Sequence, residues 1–357
     1  MNITDIFSLE PFSVNFEDKT KILDSLLSGL TKHHYDKCHE YKRMLDSVGF
    51  NPKAVVNYAE QPFLPVRLFK THNLFSINKD EISKTMTSSG TSGQQVSKIY
   101  IDKETSLNQT KALARIVSAT IGSERSPMII LDSESVLKDR KMFSARGAGI
   151  LGFSPFGTKR IYALKDDMSL DYEGISNFID EHKEKKIFLF GFTFMIYQHF
   201  LLELQSRGLS LDLFDSVLIH GGGWKKLESK SISSNRLKEM LFDICGIENV
   251  YDYYGMVEQT GSIFMECSAG NMHASIFSDV LVRNPLDFSL SEFGQKGIIQ
   301  TVSVLPKSYP GHSLLTEDEG ILLGVDDCEC GKMGKYFKIV GRVKNAELRG
   351  CSDTYEG

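Results

Sequence analysis

Apolar positions in the first fifty residues recur every three to four places. Ile22, Leu23, Leu26, Leu27 and Leu30, then Tyr35, Cys38, Tyr41 and Leu45, place an apolar stripe on each of two helices within residues 17–48. A Pro-containing link at 62–65 follows, and Lys98-Ile99-Tyr100-Ile101 reads as a strand. Helical spacing returns over 106–121, 194–206 and 229–243, with short apolar blocks between at 128–131, 187–190, 216–219 and 249–254. That alternation predicts α/β layers with largely parallel sheets. After about residue 260 the chain turns to strands and Gly turns, at 273–283, 297–305, 320–325 and 336–341. The predicted organisation is an N-terminal helical segment (1–60), an α/β core (61–260), a β-rich subdomain (261–342) and a tail (343–357), with no internal repeat.

Composition narrows the picture. The chain has 357 residues, 41% hydrophobic and 24% charged, enough to bury two or three packed subdomains. The net charge of −5 and the absence of long basic runs argue against nucleic acid or a polybasic membrane role. No apolar run approaches a membrane span, and the opening MNITDIFSLEPF lacks the basic and apolar regions of a signal peptide, so a cytoplasmic location is expected.

Four segments carry candidate chemistry. Thr85 to Gln94 holds six hydroxyl side chains and two glycines, a composition suited to a phosphate nest from Thr87, Ser88, Ser89, Gly90, Thr91, Ser92 and Gly93. It lacks the GK[ST] ending of a Walker loop, and taken alone such a loop is more often a solvated linker. Tyr253-Tyr254-Gly255-Met256-Val257-Glu258 pairs aromatic faces suited to a flat base with a carboxylate suited to Mg²⁺; its plainer reading is a strand ending in a Gly turn. Thr316-Glu317-Asp318-Glu319-Gly320 reads as an acidic turn, solvated or gripping ribose hydroxyls, and Gly341-Arg342 closes an apolar strand.

In this order and at these separations, SSGTSG, YGMVE, TEDEG and GR resemble the adenylate-forming superfamily of acyl-CoA synthetases, phenylacetate-CoA ligases and peptide-synthetase adenylation domains. Val257 stands where that family has Thr. The resemblance implies the large N-terminal domain of such an enzyme, with layered α/β subdomains plus a β-rich subdomain. It also implies ATP and Mg²⁺ as cofactors, Glu258 on the metal, Asp318 on ribose and Arg342 on phosphate. Gly221, Gly222 and Gly223 would let the backbone approach adenine, and His220 and Phe192 would line the acid pocket. His220 reads equally as a hydrogen-bonded strand-end residue, and the aromatic and Met side chains of Gly191-Phe192-Thr193-Phe194-Met195 as plain core.

Only fifteen residues follow Arg342, so the mobile C-terminal lysine domain of most adenylate formers is expected to be absent. The hinge position looks like Asn345, and Lys225 or Lys226 is a candidate to take over the lysine's role. The ending is similar to the acyl-protein synthetases of bacterial luminescence (LuxE type), along with His33-His34, Cys38 and Tyr41, LPVRLFK at 64–70 and HGGGWKK at 220–226. That resemblance implies an acyl-adenylate transferred to Cys351 as a thioester, a carboxylic or fatty acid as substrate, and an acyl-CoA-reductase-type protein as partner. The alternatives left open are a ligase using free coenzyme A and a non-catalytic nucleotide-binding scaffold.

The cysteines form a separate signal. Cys267, His273, Cys328 and Cys330 make up the donor set of a tetrahedral zinc site, although C-x-C is less regular than C-x₂-C. The other reading is small buried hydrophobes.

Overall fold

The computed structural model describes residues 2–52, 57–88, 95–137, 145–223 and 232–343. The chain divides into two compact units. One gathers three separate stretches, up to Ser88, Gly93–Thr120 and from Tyr254 onward, and the other is built chiefly from Ile121–Tyr253. The backbone passes from the second unit to the first at the Tyr253–Tyr254 peptide bond.

The second unit follows from the alternation in the sequence. Strands Ser126–Ser133, Gly157–Leu164, Phe188–Phe192, Val217–Gly221 and Asn249–Tyr254 alternate with helices Ala145–Phe153, Tyr172–Glu181 and Ser234–Cys245 and a helical stretch over 193–206. Every strand pairing is parallel. Counted in chain order, the strands lie 2-1-3-4-5 across the sheet. That is a doubly wound order whose direction reverses between the first and third strands, and ligands of such sheets bind beyond the carboxyl ends of the strands near the reversal. The central strands read as unbroken apolar runs because both faces are covered, and all five residues of Phe188–Phe192 are buried. The edge strand Gly157–Leu164 exposes Thr158, Lys159 and Arg160, a charged edge that blunts further pairing. Helix Ser234–Cys245 is closed at both ends by local chemistry. The Ser233 hydroxyl accepts from the Arg236 N–H, and Gly246 takes the left-handed conformation at φ 70°.

The first unit is an antiparallel sheet in the order Ser278–Arg283, Lys296–Ser303, Ser313–Val325, Lys335–Arg342, Met272–His273, Phe264–Glu266. A two-residue strand, Leu64–Pro65, adds parallel to Ser313–Val325, and Lys84–Thr87 pairs with Lys98–Ile101 in a separate ribbon. Phe264, Met272, Ala274, Val280, Val282, Ile299, Leu322 and Phe337 form one core cluster, with Tyr254 packed against it. The stretch expected as one strand over 273–283 is two, since His273 pairs with Tyr336 while Ser278 pairs with Ser303.

The N-terminal helix Phe16–Lys37 buries Lys19, Leu23, Leu27, Thr31 and His34, so its buried stripe is apolar in the middle and polar at both ends. No helix among the described residues is long and apolar enough to cross a membrane.

Candidate active site

In the second unit the expected site residues gather at the carboxyl ends of adjacent parallel strands. Register places Phe192 beside Gly221, Gly191 beside His220, and Gly221 beside Tyr253. The Tyr253 ring packs against Phe153 at 5.2 Å and Phe190 at 6.4 Å. A Cβ on Gly221 would fall 2.5 Å from that ring, so the glycine is there to make room for the tyrosine. Gly222 adopts φ +82°, a left-handed conformation costly for other residues, under Phe192. Gly223 faces open space.

His220 is 2% exposed. Its Nδ1 lies 2.9 Å from the Thr193 hydroxyl and 3.6 Å from an Asp252 oxygen, and its Nε2 is buried with no hydrogen-bond partner among the described residues. Burial, helped by the charge of Lys238, pushes its pKa down to about 3, so the ring is neutral across the physiological range. At the carboxyl end of the first strand, Asp132 takes two bonds from Arg146, at 2.8 and 2.6 Å, and both side chains are buried. Burial pushes the Asp132 carboxyl up, against the pull of Arg146. This pair was invisible in the sequence, where Arg146 sits in an apolar stretch with no local partner.

In the first unit Asp318 and Arg342 face each other across the Ser313–Val325 and Lys335–Arg342 strands. Arg342 Nε donates to Asp318 Oδ1 at 3.3 Å, and the Tyr254 hydroxyl donates to Oδ2 at 2.7 Å. Burial and the Asp318 carboxylate hold the Tyr254 phenol well above its usual pKa, so it stays a donor. Arg342 also approaches Glu317 at 3.7 Å, and Glu317 accepts from Arg67 at 2.8 and 3.1 Å. TEDEG is therefore no turn: it runs within a thirteen-residue strand, with its register shifted between Glu319 and Gly320. Glu317 and Arg67 were not singled out in the sequence, and the only signal for them was a charge in each of two otherwise ordinary motifs.

Gly255 and Met256 lead from Tyr254 to a short turn, Val257–Gln259, that holds Glu258. Gln259 pins this turn through bonds to the Thr301 and Gly311 carbonyls at 3.2 and 2.8 Å. Glu258 is 6% exposed, and burial together with its charge raises the pKa of the neighbouring Tyr309 phenol. A carboxylate oxygen at this turn is the hard donor that Mg²⁺ takes. Thr87 ends the strand Lys84–Thr87, and Ser88 closes the base of the hydroxyl loop, its Oγ accepting from the Ser97 N–H at 2.9 Å. Ser89, Gly90, Thr91, Ser92 and Gly93 of that loop lie outside the described residues, as do Lys225, Lys226, Asn345 and Cys351.

The four zinc candidates do come together. Cys267, Cys328 and Cys330 are unpaired thiols, and with His273 they place their donor atoms within 4.8 Å of one another. Next to them lies a group that sequence reasoning missed. Asp279 binds Lys19 at 3.5 Å and Lys335 at 3.1 Å, and accepts from the Tyr58 hydroxyl, all of them buried. Burial alone would raise Asp279, but the two ammonium groups and the phenol outweigh it and hold the carboxyl below its usual range.

A family model described as acyl-protein synthetase, LuxE, matches residues 2–356. The chain is 23% identical over 357 residues to a long-chain-fatty-acid–luciferin-component ligase of Vibrio harveyi, covering 97% of this chain and 90% of that one. It is 21% identical to the ligase of the same name from Aliivibrio fischeri, covering 97% and 91%. Among solved structures, an open conformation of 2-hydroxyisobutyryl-CoA ligase in complex with 2-HIB-AMP and CoA superposes with a TM-score of 0.70 at 16% identity. That match covers 94% of this chain and 77% of the other. This last likeness establishes the shared fold of adenylate-forming ligases.

Proposed function

The chain belongs to the LuxE acyl-protein synthetase family, and on that premise we propose that it uses ATP to convert a carboxylic acid into an acyl-adenylate and passes the acyl group to the thiol of its own Cys351. The ligase names of the Vibrio and Aliivibrio relatives favour a long-chain fatty acid as the substrate. An acyl-CoA-reductase-type protein would then take the acyl group, and the reaction would run in the cytoplasm.

In the first step a carboxylate oxygen attacks the α-phosphorus and the bond to pyrophosphate breaks. The protein's task there is to answer charge, since the step needs little covalent help. Thr87 and Ser88, with Ser89 to Gly93, would offer donors to the phosphates, and Arg342 a cation. Glu258 would hold Mg²⁺, which supplies neutralisation of the phosphate oxygens when bound. Asp318 would accept from ribose hydroxyls, with Arg342 and Tyr254 holding its carboxylate in place. His220 and Phe192 would line the acid pocket; a neutral imidazole there leaves the substrate carboxylate unprotonated. In the second step the Cys351 thiolate attacks the acyl carbon, a C–S bond forms, and AMP leaves with the electron pair of the broken C–O bond.

The observation that carries this reading is the Asp318–Arg342 pair. Two residues picked from separate motifs are cross-strand neighbours 3.3 Å apart, braced by the tyrosine of a third motif. The test is an intact mass after incubation with ATP, Mg²⁺ and a pool of carboxylic acids. A hydroxylamine-labile gain mapping to Cys351 supports the reading and names the acid. Pyrophosphate exchange without a mass gain would move the acceptor to coenzyme A or another protein. Neither activity would leave a nucleotide-binding scaffold.

A further inference from the structure

Two buried thiols, a half-buried third and a buried imidazole in the first unit have no part in the reaction above. The Cys267 and Cys328 sulfurs are 3.9 Å apart, and Cys330 Sγ lies 3.3 Å from His273 Nε2. A metal bound tetrahedrally at about 2.3 Å from sulfur and 2.0 Å from nitrogen sets donor-to-donor edges of roughly 3.5–3.8 Å. These two spacings bracket that range, and all four donors lie within 4.8 Å of one another. Sulfurs 3.9 Å apart are unbonded, and an odd number of thiols cannot be used up in disulfides among themselves.

Two turns deliver the donors in the same way. In Cys267-Ser268-Ala269-Gly270 the Gly270 N–H donates to the Cys267 carbonyl at 2.9 Å, and in Cys328-Glu329-Cys330-Gly331 the Gly331 N–H donates to the Cys328 carbonyl at 2.9 Å. Both glycines have positive φ, 73° and 76°. The sulfurs also receive N–H groups, from Asn271 Nδ2 to Cys328 and from the Lys332 backbone to Cys330, each at 3.5 Å. Soft thiolate and imidazole donors in a four-coordinate set select zinc over the hard cations magnesium and calcium.

Charge balance agrees. A divalent ion with three thiolates and a neutral imidazole carries one negative charge. Lys19 and Lys335 are buried around Asp279 beside it, and Lys332 adds a further ammonium close to the three thiols. Lys19 also donates to the carbonyl of Ala274, the residue after His273, at 3.0 Å. Each cluster, costly to bury alone, offsets the other.

The geometry points to a structural zinc ion held by Cys267, His273, Cys328 and Cys330, which clips the Phe264–Glu266/Met272–His273 hairpin to the turn between strands Ser313–Val325 and Lys335–Arg342. Those two strands meet at Val325 and Lys335 near the clip, and at Asp318 and Arg342 at their other end. The ion therefore fixes the far end of the strand pair that sets Asp318 against Arg342. This inference does not rest on the acid-activation reading, because metal is counted whether or not the protein is active.

The experiment is elemental analysis of full-length protein purified without chelator. One zinc per chain is expected, lost in Cys267→Ser and Cys328→Ser and kept in Cys330→His, which exchanges one zinc donor for another. Serine variants can lose metal simply by unfolding, so the wild type is also titrated with a mercurial thiol reagent in the presence of a chromogenic zinc chelator. Zinc should leave in step with thiol modification, and reduction with added zinc should restore the melting temperature. Metal-free protein from zinc-supplemented cells, whose thiols alkylate equally fast with and without added zinc, overturns the assignment. So does zinc retained in both serine variants.

Discussion

Apart from the buried Asp132–Arg146 pair of the second unit, the two units treat the polar groups of the candidate site differently. At the rim of the second, the candidate site is shaped by space left open: Gly221 yields to the Tyr253 ring, Gly222 bends under Phe192, and His220 is held neutral. The first answers charge with charge, in the series Arg67, Glu317, Arg342, Asp318, Tyr254 and in the buried group of Lys19, Asp279, Lys335 and Tyr58. A surface built by shape should fail when volume is added. One built by charge balance should fail when a single charge is removed at constant volume.

Glu258→Gln tests the charge side hardest. Removing the carboxylate at constant shape should slow pyrophosphate release by on the order of 100-fold, with the melting temperature little changed. Parallel loss of activity and fold would assign Glu258 to structure instead. Asp318→Asn should act more gently, raising KM for ATP about 10-fold with a smaller effect on kcat, as expected for a charge-assisted bond made in the ground state. An unchanged KM would remove Asp318 from nucleotide binding.

On the shape side, Gly221→Ala forces a Cβ to within 2.5 Å of a ring backed by Phe153 and Phe190, and should cost about 1–3 kcal/mol in urea unfolding. Combining it with Tyr253→Leu should recover part of that loss. Full additivity of the two changes would mean that the ring does not occupy the space.

The last expected effect is a slope in pH. Burial pushes His312 down to about 3, below the 6.5 of an unfolded chain. The unfolded state then binds the extra proton, so the contribution is complete above pH 6.5 and is lost as pH falls toward 3. Each such histidine steepens the acid loss by up to about 1.4 kcal/mol per pH unit. His312→Gln should flatten the stability profile between pH 6 and 4 by roughly that slope. An unchanged slope would mean that His312 titrates alike in both states.

What the sequence revealed follows the range of the interactions. The second unit was legible because apolar strands and capped helices are local signals; its edge strand Gly157–Leu164 escaped notice because Lys159 and Arg160 interrupt the apolar run. TEDEG looked like a turn because its acids are partnered only by residues distant in sequence, Asp318 by Tyr254 and Glu317 by Arg67. Lys19 was passed over for the same reason, and His34 stood out only through the resemblance, not through its contacts. They extend an ordinary leucine stripe, and their partners arrive some 250 residues later, at Asp279 and Pro306. The Cys/His set was readable in advance because its residue types are few and chemically distinctive, even though sixty residues separate its halves.

The discontinuous make-up of the first unit has a consequence during synthesis. Residues 121–253 leave the ribosome as one run and hold all the strands of the parallel sheet, so that sheet can close early. Helix Phe16–Lys37 cannot be finished so soon, because Lys19, Thr31 and His34 await Ala274, His312 and Pro306. At ~5–20 residues per second the delay between His34 and His312 is roughly 15–55 seconds. For that time the nascent chain carries a completed sheet behind a helix that has Gln61 and Ser76 for Thr31 and His34 but still lacks Ala274, Pro306 and His312. A stall before residue 270 would leave Lys19 without the Ala274 carbonyl and the Asp279 carboxylate that it binds in the finished fold.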